Sequence, residues 1–135
     1  MTAVDFMRKA RASLGAARSL MDNGFTDDAS SRAYYAMFDA ARAALIAHGA
    51  PVEVEVSRTH SGLISGFGRY IVKAGIVTAE LGRTLGQAQH LRLIADYKGD
   101  PIDAKDADRL LIWASQFVDA IAATFELPED GSKRG

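Results

Sequence analysis

The segment SSRAYYAMFDAARAALIAHG, residues 30–49, reads as one long helix with two unlike faces. At about 100° per residue, Tyr34, Met37, Phe38, Ala41, Ala44 and Leu45 fall on one broad apolar stripe, the i, i+3, i+4 pattern of a helix packed among others. Along the other edge Arg32, Tyr35, Asp39 and Arg42 stand three or four positions apart, so each side chain reaches the next. Such a row has two readings: a solvated ion-pair ladder of little energetic weight, or a polar face that binds something. Arg42 and His48 make another candidate pair, but six positions turn through about 600°, which leaves them about 120° apart on a straight helix. His48 is then a last-turn residue favoured by the negative end of the helix dipole.

Upstream, Asn23-Gly24 supplies a left-handed stop, and Thr26 is placed to cap the long helix with Asp27 and Asp28 in its first turn. Before that stop, Phe6, Ala10, Leu14, Ala17 and Met21 recur at helical spacing from about Thr2 to Asn23. Downstream, APVEVEVSR (50–58) alternates Val and Glu, yet it contains a proline and has no second run to pair with, so it reads as an extended connector. Thr59 or Ser57 can cap a third helix ending at Ala74-Gly75, with Leu63, Ile64, Phe67, Tyr70 and Ile71 on its apolar side and His60 one turn ahead of them. No strand precedes Gly62, Gly66 and Gly68, so they are expected to admit a neighbouring helix rather than to cradle a phosphate.

Thr78 opens a fourth helix whose inward stripe is Leu81, Leu85, Ala88, Leu91 and Ala95. Arg92 interrupts it. Eleven positions after Leu81 are about 1100°, which brings the guanidinium back within roughly 20° of that leucine. A lone buried charge costs several kcal/mol, and Asp96 stands one turn on to offset it. The pair is either a structural ion pair or an arginine held by its carboxylate to face an anion. His90 and Tyr97 point to the opposite side. After KGDPI (98–102), Asp103 and Asp106 cap a last helix carrying Leu110, Leu111, Trp113, Ala114, Phe117, Val118, Ile121, Ala122 and Phe125, a face wide enough to leave surplus apolar surface for a dimer.

Five helices with short joints give an all-α up-and-down bundle, a single domain over residues 1–127, with 128–135 (PEDGSKRG) a polar tail expected to be disordered. The 135 residues contain no cysteine, which removes disulfides and thiolate metal sites and suits a reducing cytoplasm. No run approaches the roughly 18 apolar residues that cross a membrane, so the chain is expected to be soluble and not exported. A net charge of −1 argues against holding nucleic acid by bulk electrostatics. The charge is uneven, with 11 Lys/Arg and 8 Asp/Glu up to Ala95 against 5 and 9 from Asp96 onward, so an anionic ligand would meet the earlier part. No H-x3-H or E-x-x-H pair exists, and neither metal nor cofactor is expected.

SRAYYAMFDAARAAL, the Thr59-His60 pair and R-x-x-A-D-Y at 92–97 occur in the order that marks a branch of small bacterial HEPN-domain proteins, which the chain resembles over about residues 5–125. The resemblance implies a four- or five-helix bundle, commonly homodimeric, often the toxin encoded beside a minimal nucleotidyltransferase antitoxin. Many relatives are metal-independent ribonucleases with an arginine–histidine motif on the penultimate long helix. Arg92 matches that arginine, while Tyr97 stands where the histidine would be, which implies weak or residual activity. Tyr97 also neighbours the tyrosine that accepts AMP from the partner enzyme in related toxins.

Metal-free RNA cleavage needs a base for the 2′-hydroxyl proton and a cation for the phosphorane. Arg92 can be that cation, but an ordinary tyrosine pKa near 10 makes Tyr97 a poor base, leaving His60 or His90. The catalytic candidates are therefore Arg92, Asp96, Tyr97 and His60, and the binding candidates Arg32, Tyr35, Asp39 and Arg42. A non-catalytic interaction module acting through a nucleotidyltransferase, and a nucleotide-binding helical domain, are alternatives from other classes.

Overall fold

The computed structural model describes residues 1–51 and 59–128; the 50–58 connector from Val52 on, and the tail from Glu129, lie outside the described residues. The described residues form five α-helices and no strand: α1 (Ala3–Asp22), α2 (Thr26–His48), α3 (His60–Phe67), α4 (Ala79–Lys98) and α5 (Ala104–Thr124). One cluster of buried side chains runs from Met7 to Leu127.

α2 lies at the centre and packs against all four other helices. Its apolar stripe is as expected, but burial extends well beyond it: Ala29, Ala33, Ala36, Ala40 and Ala43 have no exposed surface. Small side chains on several sides let neighbouring helices approach closely. α1 covers one flank, starting at a capping box in which Thr2 and Asp5 satisfy each other's backbone N–H groups. Arg11 donates to Asp119 at 2.6 Å and Arg18 to Ser115 at 3.1 Å, fastening α1 to α5.

α2 has no side-chain cap. Phe25 occupies the N-cap position and Thr26 is already helical, its hydroxyl turned back to the Gly24 carbonyl at 3.4 Å. Thr59 does cap α3, accepting the Gly62 N–H at 2.9 Å. The third helix widens into a π-helical turn over Gly68–Val72 before it stops at Gly75, which has φ 75°. The close approach falls not at Gly68, around which there is open space, but at Gly82, where an added Cβ would lie 2.7 Å from Val72 Cγ2. Glycine at 82 is what allows α4 to pass the π turn.

Most of the wide face of α5 turns into the bundle, while Leu111, Trp113 and Phe125 are only partly buried. Leu110, Ala114, Phe117, Val118 and Ile121 are buried, and Phe117 meets Phe67 with ring centroids 5.4 Å apart. Exposed apolar side chains gather instead on α4, at Leu93 (58 %), Ile94 (39 %) and Tyr97 (94 %), with Ile112 the exposed one on α5. No helix among the described residues is long and apolar enough to cross a membrane.

Candidate functional site

Arg92 is 7 % exposed and bonded through both Nη nitrogens. Its Nη2 donates to Asp96 Oδ1 at 2.7 Å, and its Nη1 donates to Ser30 Oγ at 2.6 Å and Asp27 Oδ1 at 3.3 Å in the first turns of α2. Ser30, itself without exposed surface, donates to the Asp27 carbonyl at 2.7 Å. Asp27 Oδ1 also accepts the Ile102 backbone N–H at 3.3 Å, so one carboxylate ties α2, α4 and the segment before α5. This set removes the cost of a lone buried guanidinium. It also surrounds one positive charge with two negative ones.

His60, the first residue of α3, lies over α2 in a frame of aromatic rings. Its centroid is 4.5 Å from Phe38, 5.3 Å from Tyr34 and 5.8 Å from Tyr35, the last edge-on at 86°. Its Nδ1 is 3.1 Å from the Tyr34 hydroxyl. Burial, with a smaller contribution from Tyr35, pushes the Tyr34 phenol up to about 12, so this partner stays neutral at working pH. Tyr34, Tyr35, His60, Gln89, Arg92 and Asp96 wall a pocket of about 80 Å³ that opens to solvent. That space suits a phosphate-sized group, since whole small ligands occupy roughly 300 Å³ or more.

Four of the residues singled out from sequence, Arg92, Asp96, His60 and Tyr35, thus meet at one pocket. The others lie elsewhere. Tyr97 is 94 % exposed and Arg32 is exposed, and neither walls the pocket. Arg42 lies over the Phe6 and Phe38 rings, 5.4 and 5.3 Å from their centroids. Asp39 shares that flank, where burial raises its pKa against the opposing pull of Lys9 and Arg42. The Arg32–Arg42 row is therefore split: Tyr35 faces the pocket while Asp39 and Arg42 face α1. His90 lines a different groove.

Sequence reasoning missed Tyr34, counted only as core, and the contribution of Asp27, Ser30 and Gln89. Ser30 had a signal: four positions before Tyr34 and seven before Met37, it places a hydroxyl on the apolar stripe. Among the described residues no group of three or more His, Asp or Glu side chains is arranged to hold a metal ion.

A family model for the HEPN domain matches residues 3–124. The chain belongs to the HEPN family. A UPF0332 protein of Gloeobacter violaceus is 40 % identical over 116 residues, covering 84 % of this chain and 88 % of its own. A Methanocaldococcus jannaschii protein named a "putative toxin" is 35 % identical over 112 residues, 83 % of this chain and 80 % of its own. A UPF0332 protein of Thermotoga maritima is 34 % identical over 122 residues, 88 % and 87 % of the two chains. The all-α bundle of this HEPN chain accords with that membership.

Proposed function

We propose that this HEPN chain is the cytoplasmic toxin-type member of a toxin–antitoxin pair, and that it binds RNA over the α2–α3–α4 pocket and cuts it slowly without a metal. The observation that carries the reading is His60, framed by three rings and engaged through Nδ1 by Tyr34, beside Arg92 in one pocket. With Nδ1–H donating to the phenol oxygen, Nε2 is the base that takes the 2′-hydroxyl proton. The 2′-oxygen attacks the adjacent phosphorus, the bond to the 5′-oxygen breaks, and that oxygen leaves taking a proton from solvent water, giving a 2′,3′-cyclic phosphate. Arg92 stabilises the added charge on the phosphorane.

Slow turnover follows from the company Arg92 keeps. A phosphate gains the guanidinium only by displacing a carboxylate, and Asp96, with 64 % of its side chain exposed, is the one able to yield. The chain pairs with a second copy of itself as a homodimer that leaves the pocket and Tyr97 open. A minimal nucleotidyltransferase is the implied antitoxin, and the exposed Tyr97 phenol is its acceptor: the oxygen attacks the α-phosphorus of ATP, pyrophosphate leaves, and an AMP ester remains.

The test is RNA cleavage in EDTA. Wild type should release 2′,3′-cyclic ends, His60→Ala should lose about 100-fold or more of the rate while retaining RNA, and Asp96→Asn should hold RNA more tightly. Equal cleavage by His60→Ala would move the chemistry elsewhere. RNA left both uncut and unbound would favour the interaction-module reading, to which the exposed α4 patch already lends support.

A further inference from the structure

We propose that the groove between α4 and α5 is a stacking subsite for single-stranded nucleic acid, with one base laid against Trp113 and the flanking phosphates held by Arg83 and Arg109. The strand's identity rests on the RNA reading above; the groove's geometry does not. The groove has a volume of about 630 Å³, against about 80 Å³ for the His60 pocket, so it has room for a base and its sugar. Trp113 and Leu91 give it apolar walls, and Arg83, Arg109 and His90 line it with no acidic side chain among the lining residues. In a chain of net charge −1, that is a local excess of cations around an aromatic ring.

Two further features fit this chemistry. Arg109 has an ion pair with Asp106, but at 3.7 Å and with 57 % of the arginine side chain exposed it is weak and leaves the arginine able to meet a phosphate. The groove is open beside Gly86, where an added Cβ would meet nothing within 4 Å and a longer side chain would project into it. Base–aromatic stacking with arginines along the backbone is how single strands are held without sequence readout. The groove uses the exposed flank of α4 around Arg83 and His90, and the pocket uses the flank at Gln89 and Arg92. A helix is about 10–12 Å across, so a strand crossing α4 reaches from one site to the other within a few nucleotides. Leu93 lines the pocket as well, whereas the exposed Ile94 and Tyr97 lie beyond His90 and line neither site.

Trp113 is the single tryptophan of the chain, so its emission reports on the groove directly. The probe is a deoxyadenylate hexamer, which lacks the 2′-hydroxyl and cannot be cut by the His60 chemistry. It should quench Trp113, and Gly86→Met, which fills the groove with a better helix former, should weaken binding by about tenfold or more. Arg83→Ala combined with Arg109→Ala should flatten the salt dependence of binding. Hexamer that fails to bind, binds with Trp113 emission unchanged, or binds Gly86→Met equally well overturns the proposal. AMP quenching as strongly as the hexamer overturns it in favour of a free-nucleotide site, and loss of dimer mass in Gly86→Met with hexamer binding intact overturns it in favour of a protein interface. Quenching by the hexamer without any RNA cleavage would sink the ribonuclease reading alone, whereas His60-dependent cleavage with a silent Trp113 would sink the groove alone.

Discussion

Arg92 on α4 and Arg42 on α2 are both drawn toward the packed interior, yet different neighbours surround them. Arg92 sits among Asp27, Ser30 and Asp96 with N–O distances of 2.6–3.3 Å. Arg42 lies over the rings of Phe6 and Phe38 at 5.4 and 5.3 Å. A carboxylate can be exchanged for a phosphate, and both of those around Arg92 are more than half exposed, at 51 % and 64 %. Ring faces cannot be exchanged for a ligand, and these two contacts join Arg42 to the α1–α2 packing. The same side chain thus marks a site at one end of the comparison and a joint at the other.

Phe38 joins the two regions, with its ring 4.5 Å from that of His60 and 5.3 Å from the Arg42 guanidinium. Phe38→Ala should have the largest effect of any single substitution in either region. It removes a side chain that is 7 % exposed, at a cost of about 3–5 kcal/mol. A thermal melt should fall by roughly 10 °C or more. A shift of only a degree or two would mean that the regions are not coupled through this ring.

Arg92→Ala comes next. It leaves the buried Ser30 without its donor and two carboxylates without their cation, for which a wholly buried pair would cost about 3–5 kcal/mol. Because Asp27 and Asp96 are largely solvated, the expected loss is smaller, about 2–3 kcal/mol. Arg42→Ala should cost less, about 1–2 kcal/mol for two cation–ring contacts. The contrast is sharpened by measuring RNA retention beside the melts: Arg92→Ala should lose it and Arg42→Ala should keep it. If both variants lose retention in proportion to stability, Arg92 is a joint as well.

These two regions also mark where sequence reading worked and where it stopped. Periodicity placed all five helices, because each buries a stripe that repeats with the helical turn. It also found Arg92 with Asp96, because an i+4 pair on one helix is a local fact. Asp27 and Ser30 are 65 and 62 residues from Arg92, and only the packing of α4 on α2 reveals them as its partners. The Arg32–Arg42 row looked continuous because spacing describes a helix in isolation. Once α1 and α3 cover different flanks of α2, Tyr35 and Arg42 acquire different neighbours. The π turn at Gly68–Val72 was hidden for a similar reason, since the apolar spacing from Phe67 to Ile71 passes through it unbroken.

The smallest expected effect, and the finest test of the contrast, is in pH dependence. Burial raises the Asp39 pKa despite Lys9 and Arg42, whereas the Thr2 backbone N–H and hydroxyl hold the exposed Asp5 below the ordinary carboxylate value of 3.8. A raised folded pKa contributes stability below the unfolded value, and this is lost as pH rises through the folded one; a lowered pKa contributes stability above the unfolded value that is lost on acidification. Between pH 3 and 7, Asp39→Asn should therefore gain on wild type as pH rises, and Asp5→Asn should fall behind it. Taking each variant's melting temperature relative to wild type cancels the titration of every other group. Slopes of opposite sign would establish that α2 buries Asp39 against α1 at a cost its two cations do not repay. Slopes of the same sign would mean that Lys9 and Arg42 outweigh burial, and the Arg42 flank would then resemble the Arg92 corner, a cation held chiefly by a carboxylate.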